Sequence, residues 1–85
     1  MKEFNYTITD PEGIHARPAG ELVKAAKAFS SSITISKEGK TGDCKKIFAI
    51  MGLAVKNGNM VTMTIDGEDE DAAFEAIKSF MEQNM

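Results

Sequence analysis

Apolar side chains at Phe4, Tyr6 and Ile8 alternate with Asn5, Thr7 and Thr9, the two-residue period of a strand with one buried face. Asp10-Pro11-Glu12-Gly13 stops that strand and opens a loop that reaches His15. Pro18 is tolerated only near a helix start, so a helix is expected from about Ala16 or Arg17. Its buried stripe is Ala19, Leu22, Val23, Ala26 and Phe29. Ser30-Ser31-Ser32 ends the helix, and Ile33 and Ile35, set between Thr34 and Ser36, give a second strand. Lys37-Glu38-Gly39-Lys40 reads as a hairpin turn into a short third strand over residues 40–43. Val61, Met63 and Ile65 mark a last strand, which Asp66-Gly67 breaks. The acids at 68–71 suit the positive end of a helix, whose apolar stripe is Ala73, Phe74, Ile77 and Met81.

Residues 47–55 are apolar along most of their length and fit either a buried strand or a short helix, closed by the turn Lys56-Asn57-Gly58-Asn59. With a helix there, the element order is β-α-β-β-α-β-α. Each strand has a single apolar face, so the three helices must share one side of a four-stranded, mostly antiparallel sheet. The expected class is α+β, an open-faced sandwich.

Composition narrows the setting. With 85 residues, 42% hydrophobic and 27% charged, the chain reads as one soluble domain spanning 1–85, free of repeats and low-complexity segments. The first residues lack the apolar core of a signal peptide, and the apolar run at 47–55 is far short of the roughly 20 residues that cross a bilayer. Cys44 is the single cysteine, which excludes an internal disulfide and a paired-cysteine metal site; a small packing residue is the plain reading and a reactive thiol the alternative. A cytoplasmic location without membrane insertion fits these features.

The net charge of −3 is unevenly spread: −2 over residues 1–14, +5 over 15–56 and −6 over 57–85. A basic centre in an acidic chain suits contact with acidic protein partners, with a mixed solvated surface as the plainer alternative. Nucleic acid is a poor fit, since no aromatic-interleaved basic patch exists.

His15 is the only histidine, and alone it warrants nothing. Its position changes that. A helix expected to begin at once puts the free N–H groups of Ala16 and Arg17 and the helix dipole beside the ring, a ready anion site for a phosphoryl group. The same positive charge disfavours imidazolium and keeps the ring nucleophilic. Arg17 offers paired hydrogen bonds to phosphoryl oxygens. Phosphoryl transfer needs little beyond in-line positioning and charge stabilisation. No second histidine with a carboxylate, no glycine-rich nucleotide loop and no metal-ligand cluster accompanies them. Neither cofactor nor metal is therefore expected, and a second protein must complete the site; the chain is read as a carrier and not as an enzyme on its own.

Arg17, Gly20, Lys24 and Lys27 share one helical stripe starting next to His15. Gly20 serves either close approach of a partner or simple helix packing. If residues 47–55 are helical, Ile47, Phe48 and Met51 form either an exposed docking patch or part of the core.

At Gly13-Ile14-His15-Ala16-Arg17-Pro18 the sequence resembles the histidine-containing phosphocarrier (HPr) family of the phosphoenolpyruvate:sugar phosphotransferase system, and the likeness runs over essentially the whole chain. The resemblance implies that His15 takes a phosphoryl group on Nδ1 from phosphorylated enzyme I and passes it to IIA domains of sugar permeases. It implies that Arg17 stabilises that group, and that a monomer meets its partners through Gly20, Lys24, Lys27, Ile47, Phe48, Met51 and Gly52. Many Gram-positive members of the family carry a regulatory serine where this chain has Lys46, so serine-kinase control is not expected to carry over. A regulatory paralogue and a plain interaction module with a silent His15 are the competing readings.

Overall fold

The computed structural model describes every residue except Glu12, Ile14, His15 and Met85. In chain order the elements are β1 (Lys2–Thr7), α1 (Ala16–Lys27), β2 (Ser32–Lys37), β3 (Lys40–Asp43), α2 (Ile47–Met51), β4 (Met60–Asp66) and α3 (Glu70–Asn84). The ambiguous run at 47–55 thus becomes a one-turn helix followed by irregular chain. The strands stand in the order β1-β4-β2-β3, and all three pairings are antiparallel. β1 and β2 therefore flank β4 and run in the same direction, joined by the crossover helix α1.

Register sorts the strand residues by face. Met63 lies opposite Phe4 on one side and Ile35 on the other, while the neighbouring row is Asn5, Thr62 and Ser36. The Thr62 hydroxyl donates to the Asn5 side-chain oxygen at 2.8 Å on that polar face. All three helices cover the apolar face. Ala19, Leu22 and Ala26 from α1, Ile50 from α2, and Ala73, Ile77 and Met81 from α3 bury themselves against Ile33, Ile35, Val61, Met63 and Ile65. Each large aliphatic side chain removed from water contributes about 1.5–3 kcal/mol. Phe4 and Tyr6 are only half-buried because β1 is an edge strand, and Phe4 meets Phe74 edge-on with ring centroids 5.2 Å apart. Ile8, just past the end of β1, is fully buried.

Between β2 and β3, Glu38 and Gly39 adopt φ of 50° and 85°, the two-residue hairpin geometry whose twist matches the flanking strands. Cys44 is fully buried, and burial, with Asp43 adding to it, pushes its thiol up to about 12. It is a packing residue with no thiolate at neutral pH.

Glu70 and Asp71 occupy the first turn of α3, as the charge pattern predicts. Asp69 does something else. Its carboxylate accepts the backbone N–H groups of Ser30 and Ser31, each at 2.9 Å, and the Ser31 hydroxyl, tying the end of α1 to the start of α3. The Ser31 hydroxyl foremost, then the Ser30 N–H, lower its pKa from the ordinary 3.8 to about 2. A depressed carboxylate stabilises the fold fully above its unfolded pKa and loses that contribution as pH falls through its folded one. Urea unfolding of the wild type should therefore show stability declining between about pH 4 and pH 2, and Asp69→Asn should be less stable at neutral pH with a shallower acid slope.

Candidate functional site

The loop that leads to the histidine is fastened at Ile8, Thr9 and Gly13. Gly13 N–H donates to the Asp10 carbonyl at 2.9 Å, closing the turn that Pro11 begins. Gly13 takes φ 69°, and a Cβ there would lie 2.6 Å from the Lys56 Cα, so only glycine fits between this loop and the 55–56 backbone. Ile8 N–H donates to the Asn59 carbonyl (2.9 Å), Gly58 N–H to the Ile8 carbonyl (2.8 Å), and the Asn57 amide to the Thr9 carbonyl (3.0 Å). Two loops at one end of the sheet are thereby stitched into a single platform.

His15, the residue expected to carry the chemistry, lies outside the described residues, as do Ile14 and Glu12. Its immediate successor is described, and α1 does begin at Ala16. The first turn of α1 contains no acid, so nothing there offsets the positive end of the helix. The N–H groups of Ala16 and Arg17 are among those no helix can satisfy internally, and Pro18 has none to offer.

Arg17 is exposed, and among the described residues no carboxylate forms an ion pair with it. It lines a cleft of about 300 Å³ together with Asp10, Pro18, Glu21, Gln83 and Asn84. That cleft arises where the end of α3 meets the start of α1. Residues more than sixty positions apart carry no local pattern that announces their meeting, so sequence reasoning misses it. Among the described residues no cluster of acids, cysteine or histidine is arranged to hold a metal ion.

The second expected surface divides. Lys24 and Lys27 are exposed on the last turn of α1, where they also complement the negative end of that helix. On α2, Phe48 is 85% exposed and Met51 40%, whereas Ile50 is fully buried and Ile47 packs half-buried against the core. The apolar patch is thus real at Phe48 and Met51, and Ile47 belongs partly to the interior. Exposed Gly52 ends the helix, its N–H donating to the Phe48 carbonyl at 2.9 Å. A Cβ on Gly20 would touch only the Ile47 Cδ1 at 3.8 Å, which places the two surfaces side by side.

That spacing shows no packing need for a glycine at position 20, because ordinary van der Waals contact leaves room for a methyl. Gly20→Ala should raise stability by about 0.5–1 kcal/mol, the helix-propensity difference. Thermal unfolding reads that gain, and a weakened interaction with a partner in the same variant would locate the role of the glycine on the outer surface.

Not every lysine of the basic centre is free. Lys37 Nζ donates to the Leu53 carbonyl at 3.3 Å and to the Ala54 carbonyl at 3.0 Å, and Lys45 Nζ donates to the Phe29 carbonyl at 2.8 Å. Lys46, by contrast, is exposed. It stands at the cap position before α2 with φ −128° and ψ 113°, and its side chain makes no capping hydrogen bond. Serine or threonine there would accept a helix N–H; lysine has no acceptor.

Comparison with known proteins bears on this geometry. The family model described as the PTS HPr component phosphorylation site matches residues 2–83. The phosphocarrier protein HPr of Lysinibacillus sphaericus is 47% identical over 81 residues, covering 95% of this chain and 92% of that one. The solved structure of a Mycoplasma histidine-containing phosphocarrier protein superposes with a TM-score of 0.93 at 45% identity, covering 96% of this chain and 93% of that one. An HPr dimer from Thermoanaerobacter tengcongensis matches with a TM-score of 0.78 at 40% identity, covering 98% and 95% of the two chains.

Proposed function

The chain belongs to the HPr family of phosphotransferase-system phosphocarriers, and from that premise we propose that His15 accepts a phosphoryl group on Nδ1 from phosphorylated enzyme I and donates it to IIA domains of sugar permeases. The observation that carries this reading is the hexapeptide Gly13-Ile14-His15-Ala16-Arg17-Pro18, whose Ala16 begins the acid-free first turn of α1. Residues 1–85 act as one domain, and the carrier acts as a monomer.

The chemistry follows from the parts. The neutral imidazole attacks phosphorus from the side opposite the donor's leaving group; a bond from Nδ1 to phosphorus forms as the bond to that group breaks. Charge gathers on the three non-bridging oxygens. The guanidinium of Arg17 and the unsatisfied N–H groups at the start of α1 are suited to receive it. The reverse step, on a IIA domain, uses the same groups. This chain supplies a nucleophile and charge stabilisation; the leaving group and the remaining geometry come from the partner. The partner surface is Gly20, Lys24, Lys27, Ile47, Phe48, Met51 and Gly52, with the exposed cation of Lys46 adjoining it. Lys46 has no hydroxyl, so it cannot receive the phosphate of a serine kinase. Among the described residues no helix is long and apolar enough to cross a membrane.

Incubation with phosphoenolpyruvate and enzyme I should load one acid-labile, alkali-stable phosphate, and adding a IIA domain should discharge it. A chain that stays unlabelled, or a label that no IIA domain removes, contradicts the proposed relay.

A further inference from the structure

A helix of five residues cannot persist on its own, since nucleation costs more than one turn returns. α2 must therefore be held by its surroundings, and the manner of holding decides where Phe48 and Met51 face. Three attachments are visible. From below, Ile50 is buried in the core, and the Ala49 carbonyl rests on Gly42 so closely that a Cβ there would lie 2.8 Å from its oxygen. At its entry, the Asp43 carboxylate accepts the Lys45 N–H at 2.9 Å and the Asp43 carbonyl accepts the Lys46 N–H at 3.0 Å. At its exit, Leu53 N–H reaches the Ile50 carbonyl (3.2 Å) and Ala54 N–H the Met51 carbonyl (3.1 Å), and Ala54 then turns into the left-handed region at φ 51°.

That last conformation is unfavourable for an alanine and persists only when its neighbours impose it. The group in place to impose it is Lys37. It follows Ile33 and Ile35 on the core-facing register of β2, an unusual place for a cation. Its ammonium is bound to the Leu53 and Ala54 carbonyls, and among the described residues no carboxylate forms an ion pair with it. A cation at a helix C-terminal end is also favoured by the helix dipole. We propose that Lys37 is a positioning residue for partner docking: by clamping the chain that leaves α2, it fixes the orientation in which Phe48 and Met51 are presented. This rests on reading the exposed face of α2 as the docking surface.

The test is steady-state phosphoryl transfer from enzyme I at varied concentrations of the carrier. Lys37→Met keeps the aliphatic stem and removes all three donors; KM for the carrier should rise about three- to tenfold, the worth of one or two hydrogen bonds, with kcat unchanged. Lys37→Arg, which retains the charge and donors, should recover most of the wild-type KM. Asp69→Asn serves as the control, since it loses stability by freeing the Ser30–Ser31 turn and should leave KM unaltered. A wild-type KM in Lys37→Met overturns the proposal, as does an equal rise in Asp69→Asn, which would make stability alone the cause. A wild-type chain that accepts no phosphate removes the functional reading and this proposal with it; a working wild type with no KM effect in Lys37→Met removes this proposal alone.

Discussion

His15→Ala should take up no phosphate from phosphoenolpyruvate and enzyme I, under conditions in which the wild type is loaded to one equivalent. The loss should be complete because the proposed acceptor is an imidazole. His15 is the only histidine, so no second imidazole can accept the group. Cys44 is fully buried, and its pKa of about 12 leaves it without a nucleophilic thiolate. The Ser31 hydroxyl is buried and committed to Asp69. Gel-resolved labelling of the two proteins side by side checks this, and persistent label in His15→Ala would remove the residue from the mechanism.

Arg17→Ala should slow transfer by about 10²-fold, the usual cost of deleting one preorganised donor that faces developing charge. Stability should barely change, within about 0.5 kcal/mol, because Arg17 is exposed and has no ion pair among the described residues. Arg17→Lys should recover only part of the rate. An ammonium supplies the charge without the planar pair of hydrogen bonds. Rapid-quench transfer kinetics measure the rate and thermal unfolding the stability; a wild-type rate in Arg17→Ala would show that the guanidinium is not used.

The sequence exposes those parts of this molecule that are written in local pattern. The alternation at Val61, Met63 and Ile65 and the helical stripe of Ala19, Leu22 and Ala26 correspond to buried faces in the structure, since burial of one face is what a period of two or of 3.6 encodes. Pro18 and the break at residues 10–13 located the start of α1 for the same local reason. The run at 47–55 was illegible because an apolar stretch that short has no periodicity to separate strand from helix; what settles it is distant, the bare backbone of Gly42 beneath Ala49 and the Lys37 ammonium at the exit.

Charge was legible only in sum. The basic centre was visible, yet Lys37 and Lys45 are spent on backbone carbonyls while Lys24, Lys27 and Lys46 face solvent, a division that depends on the fold. Asp69 likewise reads as one more acid ahead of a helix, and its actual partners lie 38 and 39 positions away in sequence. The cleft beside Arg17 joins the first turn of α1 to the last turn of α3, and only assembly of the two creates it. For the candidate site, the hexapeptide carried the information, and the structure added the acid-free helix start, an Arg17 without an ion pair among the described residues, and the contact that joins the basic and apolar surfaces at Gly20 and Ile47.

The central claim is that a phosphoryl group is carried on the imidazole of His15. Its most direct measurement is NMR of the enzyme I-loaded protein labelled with 15N, following the phosphorus-coupled ring nitrogen. The expected result is a single phosphorus bonded to Nδ1 of His15, lost on acid treatment and on addition of a IIA domain. A phosphorus signal bonded to oxygen, or to any nitrogen other than that one, would contradict it.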